Sequence, residues 1–152
     1  MSTPEERLQE LGLSLPEVAK PVAAYVPAVR SGNHVFTSGQ LPMRSGELMQ
    51  TGKVGGDVSP DEAVECAQQC ALNAIAAVKA ELGDLGLVKR IVKVVAFVAS
   101  TPDFTGQPQV ANGASELFGS VFGDAGVHAR SAVGVPVLPL DAPVEVELVV
   151  EF

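Results

Sequence analysis

Two stretches near the end of the chain decide its fold: Ala129-Arg130-Ser131-Ala132-Val133-Gly134-Val135 and Val144-Glu145-Val146-Glu147-Leu148-Val149-Val150-Glu151-Phe152. Both are dense in β-branched residues and read as strands, separated by a proline-marked turn from Pro136 to Pro143. Alternation in the second puts Val144, Val146, Leu148 and Val150 on one face, and Glu145, Glu147, Val149 and Glu151 on the other. Apolar residues therefore occur on both sides of it. In the first, a guanidinium sits within an apolar run, where an unpaired charge is costly and needs a partner or a ligand. If the two strands pair, Arg130 and Glu145 face one pocket, the first as an anion fork and the second as an acid or base.

Working outward, Lys89 to Ala99 is nearly all Val, Ile, Phe and Ala and reads as a central strand. The clearest helix starts at Ser59, with Pro60 in the first helical position and Glu62 completing a capping box. Ala67, Ala71, Ala74, Ile75, Val78 and Leu82 recur at helical spacing, and Gly83 stops it. A second helix opens at Pro108, with Val110, Ala114, Leu117, Val121 and Phe122 as its apolar stripe, and ends at Gly123. Upstream, Ala23–Val29 and His34–Ser38 read as strands joined by the hairpin turn Arg30-Ser31-Gly32-Asn33. Arg44 to Glu47 is another turn, leading to a short strand around Leu48, and Gly52 to Gly56 reads as a flexible loop. Pro4 to Leu13 forms a short amphipathic helix with Leu8 and Leu11 on one side, and Pro16 and Pro21 break regularity after it.

The order β-β-(β)-α-β-α-β-β predicts an α+β sandwich of two layers, a mostly antiparallel sheet with two helices on one face. Val135, Val137 and Leu138 add to the apolar surplus of the last strand, so the free sheet face is expected to be covered by other subunits. No repeat or linker argues for a second domain.

With 152 residues and 47% hydrophobic content, one domain has enough apolar surface for a core. The net charge of −8, the absence of Trp and a single Tyr argue against a nucleic-acid partner, which calls for basic stripes and stacking aromatics. The start Met1-Ser2-Thr3-Pro4-Glu5-Glu6 lacks the apolar segment of a signal peptide, and the longest apolar run, Val94 to Ala99, is far too short to cross a membrane. A soluble cytoplasmic protein is expected. Cys66 and Cys70, the only cysteines, lie four apart in the first long helix. No further Cys or His cluster supplies the ligands of a metal site, and they read as small core thiols.

Each candidate site residue has a structural alternative. Arg130 suits a substrate carboxylate, which a planar guanidinium grips bidentately. It also suits an edge arginine reaching solvent, or one paired with Glu145 or Glu147. Glu145 becomes a proton shuttle only if its surroundings bury it; otherwise it belongs, like Glu147 and Glu151, to a solvated strand face. His34 and His128 stand beside turns and suit surface or loop packing, with no triad spacing around either. Ser38-Gly39-Gln40 is turn chemistry, or a glycine that lets backbone approach a ligand. Gly52 to Gly56 is not a phosphate loop, because Lys53 is not followed by Ser or Thr and a helix.

Tyr25-Val26 before a Gly-Asn hairpin, Thr37-Ser38-Gly39-Gln40-Leu41-Pro42, Ala129-Arg130-Ser131 and Val144-Glu145-Val146-Glu147 together resemble the Rid/YjgF family of reactive intermediate deaminases, also labelled endoribonuclease L-PSP. The chain looks most like a longer, YjgF or chorismate mutase-like branch. The resemblance runs from about residue 23 to the C-terminus, which makes 1–22 an N-terminal extension and 23–152 the family domain. It implies a chorismate mutase-like fold with a mixed, mostly antiparallel sheet, assembled as a homotrimer with clefts between subunits. It also implies hydrolysis of enamines and imines such as 2-aminoacrylate to a 2-keto acid and ammonia, with no metal or organic cofactor. By position, Arg130 would hold the substrate carboxylate and Glu145 would activate water. Gly39 and the backbone at Ala132 would line the site, with Tyr25, Ser38 and Asn112 around it. The chain departs from the family at Ala132, where relatives commonly have Cys, and at Gly134, where many have an acidic residue. A non-catalytic trimer that binds small carboxylates is the alternative; a ribonuclease fits the acidic charge poorly.

Overall fold

A computed structural model describes residues 2–18 and 24–152. Helix α1 (Pro4–Glu10) is closed at its start by a capping box between Thr3 and Glu6. Strands β1 (Ala28–Ser31) and β2 (His34–Thr37) form the first hairpin, and β3 (Met43–Arg44) and β4 (Glu47–Leu48) a second, smaller one. Then follow α2 (Pro60–Leu82), β5 (Arg90–Ala99), α3 (Gln107–Phe122), β6 (Ala129–Val135) and β7 (Val144–Glu151). The capping box at Ser59 and Glu62 forms as the sequence predicts, and Gly83 closes α2 with φ +82°.

The five-stranded sheet has the order β1-β2-β7-β5-β6. Three of its pairings are antiparallel, while β6 runs parallel to β5, the pair that α3 connects by crossing over the sheet. The helices lie on one face. Their core packs Ile75, Val78, Val110, Phe118 and Val121 against Val35, Ile91, Val94, Val144, Val146, Leu148 and Val150. Small residues let α2 and α3 cross closely: a β-carbon at Gly113 would land on the Val64 carbonyl oxygen.

The two decisive strands do not pair. β5 lies between them, hydrogen-bonded to both, so a single pocket built from adjacent β6 and β7 is excluded within one protomer. Other differences are local. β1 begins only at Ala28, because Pro27 cannot donate to a ladder and its carbonyl instead accepts from the Ser38 amide at 2.8 Å. Helix α1 stops at Glu10, burying Leu8 but leaving Leu11 exposed. The segment expected to be a flexible loop is pinned: Val54 N–H donates to the Ala99 carbonyl (2.7 Å), its own carbonyl accepts from Thr101 (3.0 Å), and Val54 and Val58 are fully buried. The boundary placed between residues 22 and 23 lies outside the described residues.

Candidate active site

Arg130 and Glu145 occupy different faces of the sheet. The register aligns Arg130 with Val94, which is buried under the helices, and aligns Glu145 with Phe97 on the opposite side. From ordinary strand spacing and rise, their Cα atoms stand about 14 Å apart.

The first half-site is built on the edge strand β6 and the flank of α3. Asn112 and Ser115, one helical turn apart, both meet the half-buried Arg130. Arg130 Nη1 donates to Asn112 Oδ1 at 2.7 Å and to Ser115 Oγ at 3.1 Å. No carboxylate among the described residues pairs with it. The guanidinium is therefore held by neutral acceptors on one nitrogen, which leaves its charge uncompensated and the rest of its fork open to an anion. Ala132 follows on the same face and packs against the core. Gly134, two residues further, borders a cleft of about 380 Å³ that Ser100, Phe104, Gln107 and Pro136 also line.

The second half-site is built on β7 and the turn after β2. Gln40 and Val146 exchange backbone hydrogen bonds of 2.8 and 3.0 Å, which lays Gly39 directly on the Glu145 side chain. A β-carbon at Gly39 would stand 2.6 Å from Glu145 Cδ and Oε2, so close an approach that only glycine fits it unstrained. Ser38 Oγ donates to the Val26 carbonyl at 2.6 Å and ties the exposed Tyr25-Val26 segment beside this turn. Burial pushes the Glu145 carboxyl pKa above the ordinary glutamate value, and the charge of Glu147 on the same face adds to the rise. A carboxyl so placed exchanges protons closer to neutrality than a solvated one does.

The structure thus brings Arg130 to Asn112 and Ala132, and brings Glu145 to Gly39 with Ser38 and the Tyr25 segment, but does not join the two groups in one protomer. Ser115 has no signal in the sequence beyond its spacing of three from Asn112. The His128 ring packs edge-on against Phe118, and it also meets Ser115. Cys66 and Cys70 are buried in α2, and burial raises the Cys66 thiol to about 11 and also holds the Cys70 thiol well above its ordinary value, so both resist ionisation. Among the described residues no group of His, Cys, Asp and Glu could hold a metal, and no helix is long and apolar enough to cross a membrane.

Residues 5–152 match the family described as "YjgF/chorismate_mutase-like, putative endoribonuclease". The chain belongs to the YjgF/chorismate mutase-like (Rid) family. Within it, the chain is 48% identical over 146 residues to Protein TCP17 of Trypanosoma cruzi, covering 95% of this chain and 91% of that one. It is 34% identical over 140 residues to a 2-iminobutanoate/2-iminopropanoate deaminase of Dermatophagoides farinae, covering 91% and 93%. Among solved structures, the protein Atu1372 of Agrobacterium tumefaciens, of unknown function, superposes with a TM-score of 0.93 at 49% identity, over 98% of this chain and 92% of that one. E. coli TdcF with bound serine superposes with a TM-score of 0.68 at 25% identity, over 90% and 94%. The α+β fold with its mixed sheet is that of the family.

Proposed function

We propose that this Rid protein is a hydrolytic deaminase of reactive enamines and imines, of the 2-aminoacrylate and 2-iminopropionate type, working as a homotrimer with its active sites between subunits. One observation carries the reading: a guanidinium with no carboxylate partner among the described residues and a half-buried carboxyl whose pKa is raised lie on separate faces of the protomer. Apposition of two copies supplies the missing half to each. The face carrying Glu145 also exposes Val29, Phe36 and Val133, a surface suited to cover by another subunit.

In this mechanism the Arg130 fork of one subunit binds the substrate carboxylate. Glu145 of its neighbour removes a proton from water as the oxygen attacks the imine carbon, and the C=N π electrons move to nitrogen. Return of that proton to nitrogen gives the neutral carbinolamine; Glu145 then takes the hydroxyl proton and passes it to nitrogen as the C–N bond breaks, expelling ammonia and leaving the 2-keto acid. An enamine enters after protonation at carbon gives its imine tautomer. The imine is already electrophilic, so anchoring and one acid/base group suffice, without metal or organic cofactor.

A non-catalytic binder of small carboxylates is the second reading, favoured by the serine held in TdcF. The test generates imines in place with an amino-acid oxidase or threonine dehydratase and follows semicarbazide competition, with Arg130→Ala and Glu145→Gln alongside. Faster hydrolysis by wild type alone supports the deaminase. No acceleration on any imine refutes it, and Arg130-dependent binding of 2-keto acids would then favour the binder.

A further inference from the structure

We propose that Ser115 and His128 are positioning residues, which hold the carboxylate-binding guanidinium of Arg130 through a one-way chain of hydrogen bonds. The proposal rests on Arg130 being the substrate anchor. The direction of the chain follows from its ends. His128 Nδ1 lies 2.6 Å from the Gly126 carbonyl oxygen, which can only accept, so Nδ1 carries the proton. In the neutral ring Nε2 is then a lone-pair acceptor, 2.8 Å from Ser115 Oγ. The Ser115 hydroxyl donates to it, and that leaves the oxygen lone pairs to accept from Arg130 Nη1 at 3.1 Å. The Phe118 ring, edge-on to His128 at 5.8 Å between centroids, fixes the imidazole plane.

The scaffold behind the chain is rigid. The carbonyl that orients His128 belongs to Gly126, which is buried so closely against α3 that a β-carbon there would land on the Phe118 carbonyl. Asn112 alone would leave the long arginine side chain free to turn about a single bond. The second acceptor fixes Nη1 at two points, so that the open edge of the fork meets an incoming carboxylate without further loss of rotamer freedom. Ser115 and His128 therefore act on binding and leave proton transfer at Glu145 untouched.

The test uses the full chain, with calorimetric binding of 2-oxobutyrate, imine hydrolysis and ¹⁵N NMR of the histidine side chains above pH 8. Ser115→Ala is expected to raise Kd and KM by roughly five- to tenfold with kcat little changed, and Ser115→Thr, which restores the hydroxyl, to recover wild-type values. His128→Phe keeps an aromatic ring for Phe118 but removes the acceptor, and is expected to weaken binding as Ser115→Ala does. The wild-type spectrum should show His128 with its proton on Nδ1. An Nε2-protonated tautomer, or unchanged Kd in a folded Ser115→Ala protein while Arg130→Ala abolishes binding, would overturn the proposal. Wild type that neither binds 2-oxobutyrate nor hydrolyses imines would instead refute the deaminase reading, and the tautomer would still decide whether the chain runs as drawn.

Discussion

Replacing Gly39 by alanine is a sharp perturbation, because it changes one methyl group next to the proposed general base. The new β-carbon would lie 2.6 Å from Glu145 Cδ and Oε2 and 3.0 Å from Cγ. Carbon atoms at van der Waals contact need about 3.5 Å, so the carboxyl group must retreat by about 1 Å. Nothing in the Gly39 backbone forbids alanine, since its φ is not positive. The obstructing atoms are the far end of a flexible side chain, so the fold yields there at little cost. A displacement of that size in a catalytic group costs about a hundredfold in rate. Gly39→Ala should therefore lower kcat for imine hydrolysis about a hundredfold, while its melting temperature stays close to wild type. Semicarbazide competition and a thermal melt on the same preparation measure the two effects. A folded Gly39→Ala protein with wild-type kcat would refute Glu145 as the base.

Other substitutions test the frame around the site. Gly113→Ala drives a β-carbon into the backbone carbonyl of Val64 where α2 and α3 cross, and should destabilise by about 2 to 3 kcal/mol in a denaturant titration. Ser59→Ala removes the side-chain acceptor of the α2 capping box and should cost about 1 kcal/mol, a fall of about 2 to 4 °C in melting temperature for a chain of this length. The raised Glu145 pKa makes its ionisation unfavourable in the folded protein, so its contribution to stability is full at low pH and lost as pH rises through the folded pKa. Glu145→Gln should accordingly melt above wild type at pH 8, with the gap closing as the pH falls toward 4.

Much of the fold was legible because its signals are local. The capping box at Ser59, the helical spacing of Ala67 to Leu82 and the alternation of Val144 to Glu151 each depend on residues a few positions apart, and each element forms where those residues place it. Val54, inside the segment Gly52 to Gly56 expected to be a flexible loop, is buried because of distant partners, here Ala99 and Thr101, which its neighbours in the sequence do not reveal. Strand order is non-local for the same reason. Nothing within Ala129–Val135 or Val144–Glu151 reveals that β5 comes between them, or that its register, with Val94 beside Arg130 and Phe97 beside Glu145, puts the two on opposite faces. The importance of Gly39 was half legible: a glycine at a strand end suggests close approach, but only the Gln40–Val146 pairing shows that Glu145 is the group approached. Ser115 carried no chemical signal of its own until Arg130 and His128 were seen on either side of it.

The central claim is that a working site takes Arg130 from one subunit and Glu145 from another. Mixing inactive Arg130→Ala and Glu145→Gln chains in equal amounts, unfolded and refolded together, measures it directly. In a randomly assembled homotrimer a site is intact when its arginine comes from the Glu145→Gln chain and its glutamate from the Arg130→Ala chain, so about a quarter of wild-type activity should return. If the mixture assembles into trimers and stays as inactive as either parent, the two residues do not meet across a subunit boundary and the account is wrong.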